Sequence, residues 1–198
     1  MPPFRRLVLG TGNAGKVEEL RALLADLPLE LIPGPTLGDP PDVEEDADTL
    51  AGNARKKAEA YRVAAGGPAL ADDTGLEVAA LNGRPGVRTA RFAGPDATPD
   101  DNKHKLLEVL EGVDDRRARF RTVVALVDDA GTAHTFEGVC EGTITTAPRG
   151  DGGFGYDPLF RPKGHDQTFA EMPPAAKNDI SHRRKALDAL RQFLVSGE

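Results

Sequence analysis

A mixed α/β fold is predicted by three features of the chain. Arg6 to Gly10 is a short apolar run ending in Gly-Thr-Gly-Asn, and Val17, Leu20, Leu24 and Leu27 follow at helical spacing. Ala118, Phe120, Thr122, Val124 and Leu126 alternate with other residues, as one face of a strand does, and a second strand-like stretch, Ala133 to Cys140, follows across Asp128-Asp129-Ala130-Gly131. From Ser181 onward, Ala186, Leu187, Leu190, Phe193 and Leu194 mark one face of a closing helix.

The remaining elements fall between these landmarks. Leu29 to Ile32 predicts a second strand, and the proline-rich, acid-rich stretch from Pro33 to Asp48 predicts a loop. From Thr49, the residues Leu50, Ala54, Ala58, Tyr61 and Ala65 line one helical face, and Gly66-Gly67 stops it. Pro68 to Ala71 is then a strand that ends at Asp72-Asp73. Asn82-Gly83-Arg84-Pro85-Gly86 is a turn cluster, and Thr98 with Asp101 forms a capping-box variant opening a helix through Leu106 and Leu110.

A length of 198 residues suits a single domain over 1–198, or two closely joined lobes, with a core of useful size. Composition is that of an ordinary globular protein, and no apolar run approaches the roughly 20 residues that span a bilayer. The start, Met1-Pro2-Pro3, moves straight into the first strand, so neither secretion nor a membrane is indicated. The single cysteine, Cys140, has no intramolecular partner, which suits a cytoplasmic protein, and is read as a core residue. A net charge of -7 argues against a nucleic-acid polymer as partner. It leaves room for a small polyanion held by a local group of lysines or a metal.

Four constellations can carry chemistry. In Gly10-Thr11-Gly12-Asn13-Ala14-Gly15-Lys16, glycines let backbone amides face an anion at a helix start while Lys16 adds a full charge. Val17 stands where a P-loop enzyme needs a hydroxyl for magnesium, which disfavours that class. Asp72-Asp73-Thr74-Gly75 sets two carboxylates at a strand end, where one can bind a metal and another activate water; the same residue types also make ordinary turns. Glu44, Glu45 and Asp73 together offer the few carboxylate oxygens that Mg2+ takes beside substrate phosphates. Gly152-Gly153-Phe154-Gly155-Tyr156-Asp157-Pro158 allows close backbone approach beside an aromatic face that can stack a base. Lys177 with Ser181-His182-Arg183 crowds donors at the last helix start, as an anion or carbonyl oxygen requires, or as simple capping and surface charge would. His104, His134 and His165 lie apart and are assigned no role.

Taken in order, Thr11-Gly-Asn-Ala-Gly-Lys16, Ala71-Asp-Asp-Thr-Gly75, Gly153-Phe-Gly-Tyr-Asp-Pro158 and Ser181-His-Arg183 resemble the inosine triphosphate pyrophosphatase family nearly end to end. Asn53-Ala-Arg-Lys-Lys57-Ala, Arg84 to Phe92 and Ala118-Arg-Phe-Arg121 add to the resemblance. It implies an elongated two-lobed fold with a mixed sheet and a central nucleotide-binding cleft, usually a homodimer. It also implies Mg2+-dependent hydrolysis of inosine, deoxyinosine and xanthosine triphosphates to a monophosphate and pyrophosphate. Thr11, Gly12, Asn13, Ala14, Gly15, Lys16 and Lys57 would hold the triphosphate. Asp73 would be general base and metal ligand, helped by Glu44 or Glu45, with Asp72 just behind it and Thr74 touching substrate. Phe154, Gly155, Tyr156 and Asp157 would wall the base, and Lys177, His182 and Arg183 would read its 6-oxo group. One departure stands out: Leu50 and Gly52 occupy positions where the family usually carries phenylalanine and glutamate. Two alternatives are a septum-inhibitor-type pyrophosphatase and a nucleotide sensor without turnover. Lys16 with Ser181-His182-Arg183 argues against the first, and the paired carboxylates against the second.

Overall fold

The computed structural model describes residues 4–196, so Met1-Pro2-Pro3 lie outside the described residues. In chain order the elements are β1 (Arg6–Leu9), α1 (Ala14–Leu24), β2 (Glu30–Pro33), α2 (Leu50–Ala65), β3 (Ala69–Val78), β4 (Pro85–Gly86), α3 (Pro99–Val109), β5 (Arg117–Val127), β6 (Ala133–Ile144), β7 (Phe160–Pro162), α4 (Pro174–Ile180) and α5 (His182–Ser196). The sheet is mixed. Its strands run in the order β2-β1-β3-β5-β6-β7 with β4 added to β3; β1 is parallel to both β2 and β3, while β4 on β3 and β7 on β6 are antiparallel.

Helix boundaries follow side-chain chemistry. Thr49 caps α2 by accepting the Gly52 amide, and Gly66 ends it in the left-handed conformation at φ 65°. Thr98 and Asp101 form the reciprocal capping box of α3.

The chain divides into two compact units. The first comprises residues 1–73, 122–138 and 183–198. Within it β1 is buried on both faces by simple alternation: Leu7 and Leu9 join a core with Leu20, Leu23 and Leu24 of α1 and Ala186, Leu187, Leu190 and Leu194 of α5. Val8 points the other way, to Tyr61 of α2 and Ala69 of β3. Gly10 owes its identity to this packing, because a Cβ there would lie 2.9 Å from the Tyr61 ring.

The second unit comprises residues 74–121 and 139–182. Its core gathers Leu76, Leu106, Leu110, Leu159 and three phenylalanines, with Phe160 4.6 Å from Phe120 and 5.1 Å from Phe169 between ring centres. Cys140 is buried in it, as the sequence predicts for a core residue. Asn82 at φ 53° and Gly83 at φ 81° turn the chain between β3 and β4.

One expectation needs correction. The carboxylate pair does not sit at a strand end or a turn: β3 continues from Ala69 to Val78, and Asp72 and Asp73 are buried inside it. Side-chain cations reach both, which is what permits carboxylates in a buried strand. The closing helix is preceded by a separate helix, α4, which opens with Pro174, a residue tolerated in a first helical turn.

Candidate active site

Strand alternation at Asp72 and Asp73 organises the chemistry of the first unit, because neighbouring residues on β3 point to opposite faces. Asp72 shares a face with Leu70, toward α1 and α5. There Lys16 Nζ lies 3.2 Å from its Oδ2, and Arg183 donates to the same oxygen from Nε at 3.2 Å and Nη2 at 3.0 Å. Arg183 Nη1 also donates to Glu19 Oε2. Burial alone would raise the Asp72 pKa, but the Lys16 and Arg183 charges outweigh it and hold the group well below the usual carboxylate range.

Asp73 shares a face with Ala69, toward α2. Asn53 Nδ2 donates to its Oδ2 at 3.1 Å, and Lys57 Nζ lies 3.8 Å from Oδ1. The same ammonium donates to Glu45 Oε2 at 2.9 Å. Here burial prevails over Lys57 and Lys16, so the Asp73 pKa is raised. Two adjacent carboxylates are thereby biased in opposite directions, one toward permanent charge and one toward proton exchange.

The glycine loop ends where Asn13 caps α1, its side chain accepting the Lys16 amide at 3.1 Å. Gly12, Asn13 and Ala14 are exposed, and Thr11 is buried with its hydroxyl accepting the Asn13 amide at 3.2 Å. Lys16 faces Asp72, and burial lowers its pKa against the pull of that carboxylate.

Alternating exposure separates the two glutamates: Glu44 is exposed, whereas Glu45 is half-buried against Lys57. Among the described residues no three His, Cys, Asp or Glu side chains are gathered as a closed metal cage. A magnesium site does not need one, since the ion keeps waters and takes one or two carboxylates with substrate phosphates. Glu45 and Asp73 meet that requirement: they flank a single cation, and the Glu45 charge is among the causes that raise Asp73.

The second unit holds the other predicted residues. Phe154 is half-buried, and its amide donates to Asp157 Oδ2 at 2.8 Å. Lys177 Nζ donates to the same carboxylate oxygen at 2.7 Å and lies 4.8 Å from the Phe154 ring centre. Gly153 is a glycine by necessity, at φ 69° with the place of a Cβ 2.2 Å from Asp157 Oδ2. Tyr156 is a core residue whose hydroxyl donates to the Thr89 carbonyl at 2.9 Å, so it belongs to the support of the loop. His182 is buried and stacked on Phe120 at 4.7 Å. Thr74 is half-buried on β3, and Gly155 takes a positive φ of 60° beside Phe154.

Sequence reasoning left Asn53 and Glu19 out of the site. Asn53 carries a signal, since its spacing of three from Leu50 sets a polar residue on the inward face of α2, where it needs partners; Glu19 carries none, because its pairing with Arg183 spans 164 positions. Leu50 is buried, filling the core side of the α2 start, and a Cβ on Gly52 would lie 2.7 Å from Ala47 Cβ.

The profile of the Ham1 family matches residues 7–193 of the chain. A dITP/XTP pyrophosphatase of Porphyromonas gingivalis is 50% identical over 193 residues, covering 97% of this chain and 98% of that protein. The dITP/XTP pyrophosphatase of Syntrophobacter fumaroxidans is 50% identical over 186 residues, covering 94% of this chain and 80% of that protein. A HAM1 protein from Coxiella burnetii has the same fold, with a TM-score of 0.86 at 43% identity over 98% of this chain and 100% of that one.

Proposed function

The chain belongs to the Ham1 family, and on that premise we propose that it is a pyrophosphatase cleaving the α-β phosphoanhydride of deoxyinosine, inosine and xanthosine triphosphates. One observation carries the chemistry: Asp72 and Asp73, adjacent on β3, face opposite ways, Asp72 onto Lys16 and Arg183 and Asp73 onto Asn53 and Lys57.

Asp73 takes a proton from water, the water oxygen bonds to the α-phosphorus, and the bond to the bridging oxygen breaks. Pyrophosphate leaves and the monophosphate remains. Asn53 and Lys57 orient Asp73 during this step. Asp72 stays charged, keeping Lys16 and Arg183 in place. Glu45 and Asp73 would hold magnesium, which supplies phosphate charge neutralisation when bound. The triphosphate is assigned to the loop Thr11 to Lys16 and to Lys57.

The base is assigned to the second unit, with Phe154 as the stacking face and Lys177 and His182 as donors to a 6-oxo acceptor. Adenine presents an amino group there, and leaving buried donors facing it costs on the order of 10⁴-fold in rate. Arg183, already bonded to Asp72 and Glu19, is assigned the support of Asp72.

We place the enzyme in the cytoplasm as a homodimer. Its single buried cysteine suits the first; light scattering on the purified protein tests the second.

Pyrophosphate release from dITP, XTP, ATP and GTP with magnesium, for the wild type beside Asp73→Asn, tests the reading. Fast cleavage of the first two, lost in the variant, is expected. Equal cleavage of all four substrates overturns the specificity, and tight binding without cleavage identifies a sensor instead.

A further inference from the structure

Asn53 has no exposed surface, and both ends of its amide are used. Nδ2 donates to Asp73 Oδ2 at 3.1 Å, while Oδ1 accepts the Ala47 amide at 3.0 Å. One rigid planar group in the first turn of α2 therefore touches the carboxylate assigned as base and the acidic segment that carries Glu45. An amide of this length carries a donor and an acceptor on one planar group. An aspartate would keep the acceptor and lose the donor, and a leucine would lose both.

The Gly52 departure fits the same contact. The Ala47 methyl group packs so close to Gly52 that a Cβ there would sit 2.7 Å away, and the Thr49 hydroxyl bonds the Gly52 amide at 3.0 Å. Ala47 is therefore seated on the helix start from two sides, by the hydrogen bond its amide donates to Asn53 Oδ1 and by the space that glycine leaves. Glu45, two residues earlier, is half-buried like Ala47, with exposed Asp46 between them, and accepts a hydrogen bond from Lys57.

We propose that Asn53 is a positioning residue that sets Asp73 and the Glu45 segment relative to each other, with Gly52 as its steric complement. The proposal rests on the pyrophosphatase reading for its catalytic consequence, but the tie between Asn53 and Ala47 is testable without turnover.

The test compares wild type, Asn53→Asp, Asn53→Ala and Gly52→Ala in three measurements: hydrogen exchange at the Ala47 amide, steady-state hydrolysis of dITP at saturating magnesium, and thermal melting. The Ala47 amide should be protected in the wild type and in Asn53→Asp, and exposed in Asn53→Ala and Gly52→Ala. All three variants should lose kcat on the order of 10- to 100-fold, the cost of small misplacement of reacting groups, with KM changed far less. Asn53→Asp keeps the shape of Asn53 but sets a second carboxylate beside Asp73, so thermal melting of each variant separates loss of fold from loss of the Asp73 contact. Unchanged kcat in Asn53→Ala, or an Ala47 amide unprotected in the wild type, overturns the proposal. An inactive wild type with a protected Ala47 amide sinks the pyrophosphatase reading while leaving the tie intact.

Discussion

Asp72 and Arg183 lie 111 positions apart in the chain and are joined inside the first unit by two hydrogen bonds of 3.2 and 3.0 Å to one carboxylate oxygen. With Lys16 on the same carboxylate and Glu19 on the same guanidinium, they form a buried group of two acids and two bases. Breaking such a group by removing one partner strands the others, and that costs more than the pair contributes.

Asp72→Asn is accordingly expected to destabilise the protein by about 3–5 kcal/mol, read as a lower urea midpoint. The pH dependence has a definite sign. The folded pKa is depressed below 3.8, so this stabilisation is complete above 3.8 and is lost as the pH falls through the depressed value. The wild-type urea midpoint should fall steeply across that acid window and that of Asp72→Asn less so.

Asp73→Asn should lower kcat by about 10²- to 10⁴-fold, the usual worth of a general base, while binding of substrate persists. Burial raises the Asp73 pKa in the metal-free protein and a bound magnesium ion would lower it, so the acid limb of kcat/KM should move to lower pH as magnesium is raised and vanish in the variant. An acid limb that persists in the variant contradicts the assignment.

Glu44 and Glu45 should separate cleanly. Glu45→Gln is expected to raise the magnesium concentration for half-maximal activity on the order of 10-fold or more. Glu44→Gln, altering an exposed side chain, should leave it nearly unchanged. The magnesium titration of each variant decides between them.

Gly153→Ala combines a positive φ with a Cβ forced to 2.2 Å from Asp157 Oδ2, displacing the carboxylate that holds both the Phe154 amide and Lys177. A loss of about 1–3 kcal/mol in stability is expected. A rise in KM for dITP should exceed any change in kcat, because the perturbed loop is the one assigned to the base. Thermal melting and initial-rate kinetics test both.

The legible part of the fold is the part written in local chemistry. Thr49 and Gly66 delimit α2, Thr98 and Asp101 open α3, and the alternation from Ala118 to Leu126 produces β5, all within reach of short-range steric and hydrogen-bonding rules. The extent of β3 was less legible, because Asp-Asp-Thr-Gly has the residue types of a turn. Only cations brought from Lys16, Lys57 and Arg183 make it a buried strand.

The amino-acid order alone determined that Leu50, Ala54, Ala58 and Tyr61 line one face of α2, whereas the opposite facing of Asp72 and Asp73 follows only from the continuation of β3 through them. It determined also that Asn53 and Lys57, four apart on α2, share a helical face. Tertiary packing decided which helix each carboxylate meets: α1 and α5 give Asp72 two cations, and α2 gives Asp73 an amide and a lysine shared with Glu45. Proton affinity depends on charges within a few ångströms and on exclusion of water, both supplied by residues remote in the chain. The contrast between a carboxylate that stays charged and one that can exchange a proton therefore arises only when the chain folds.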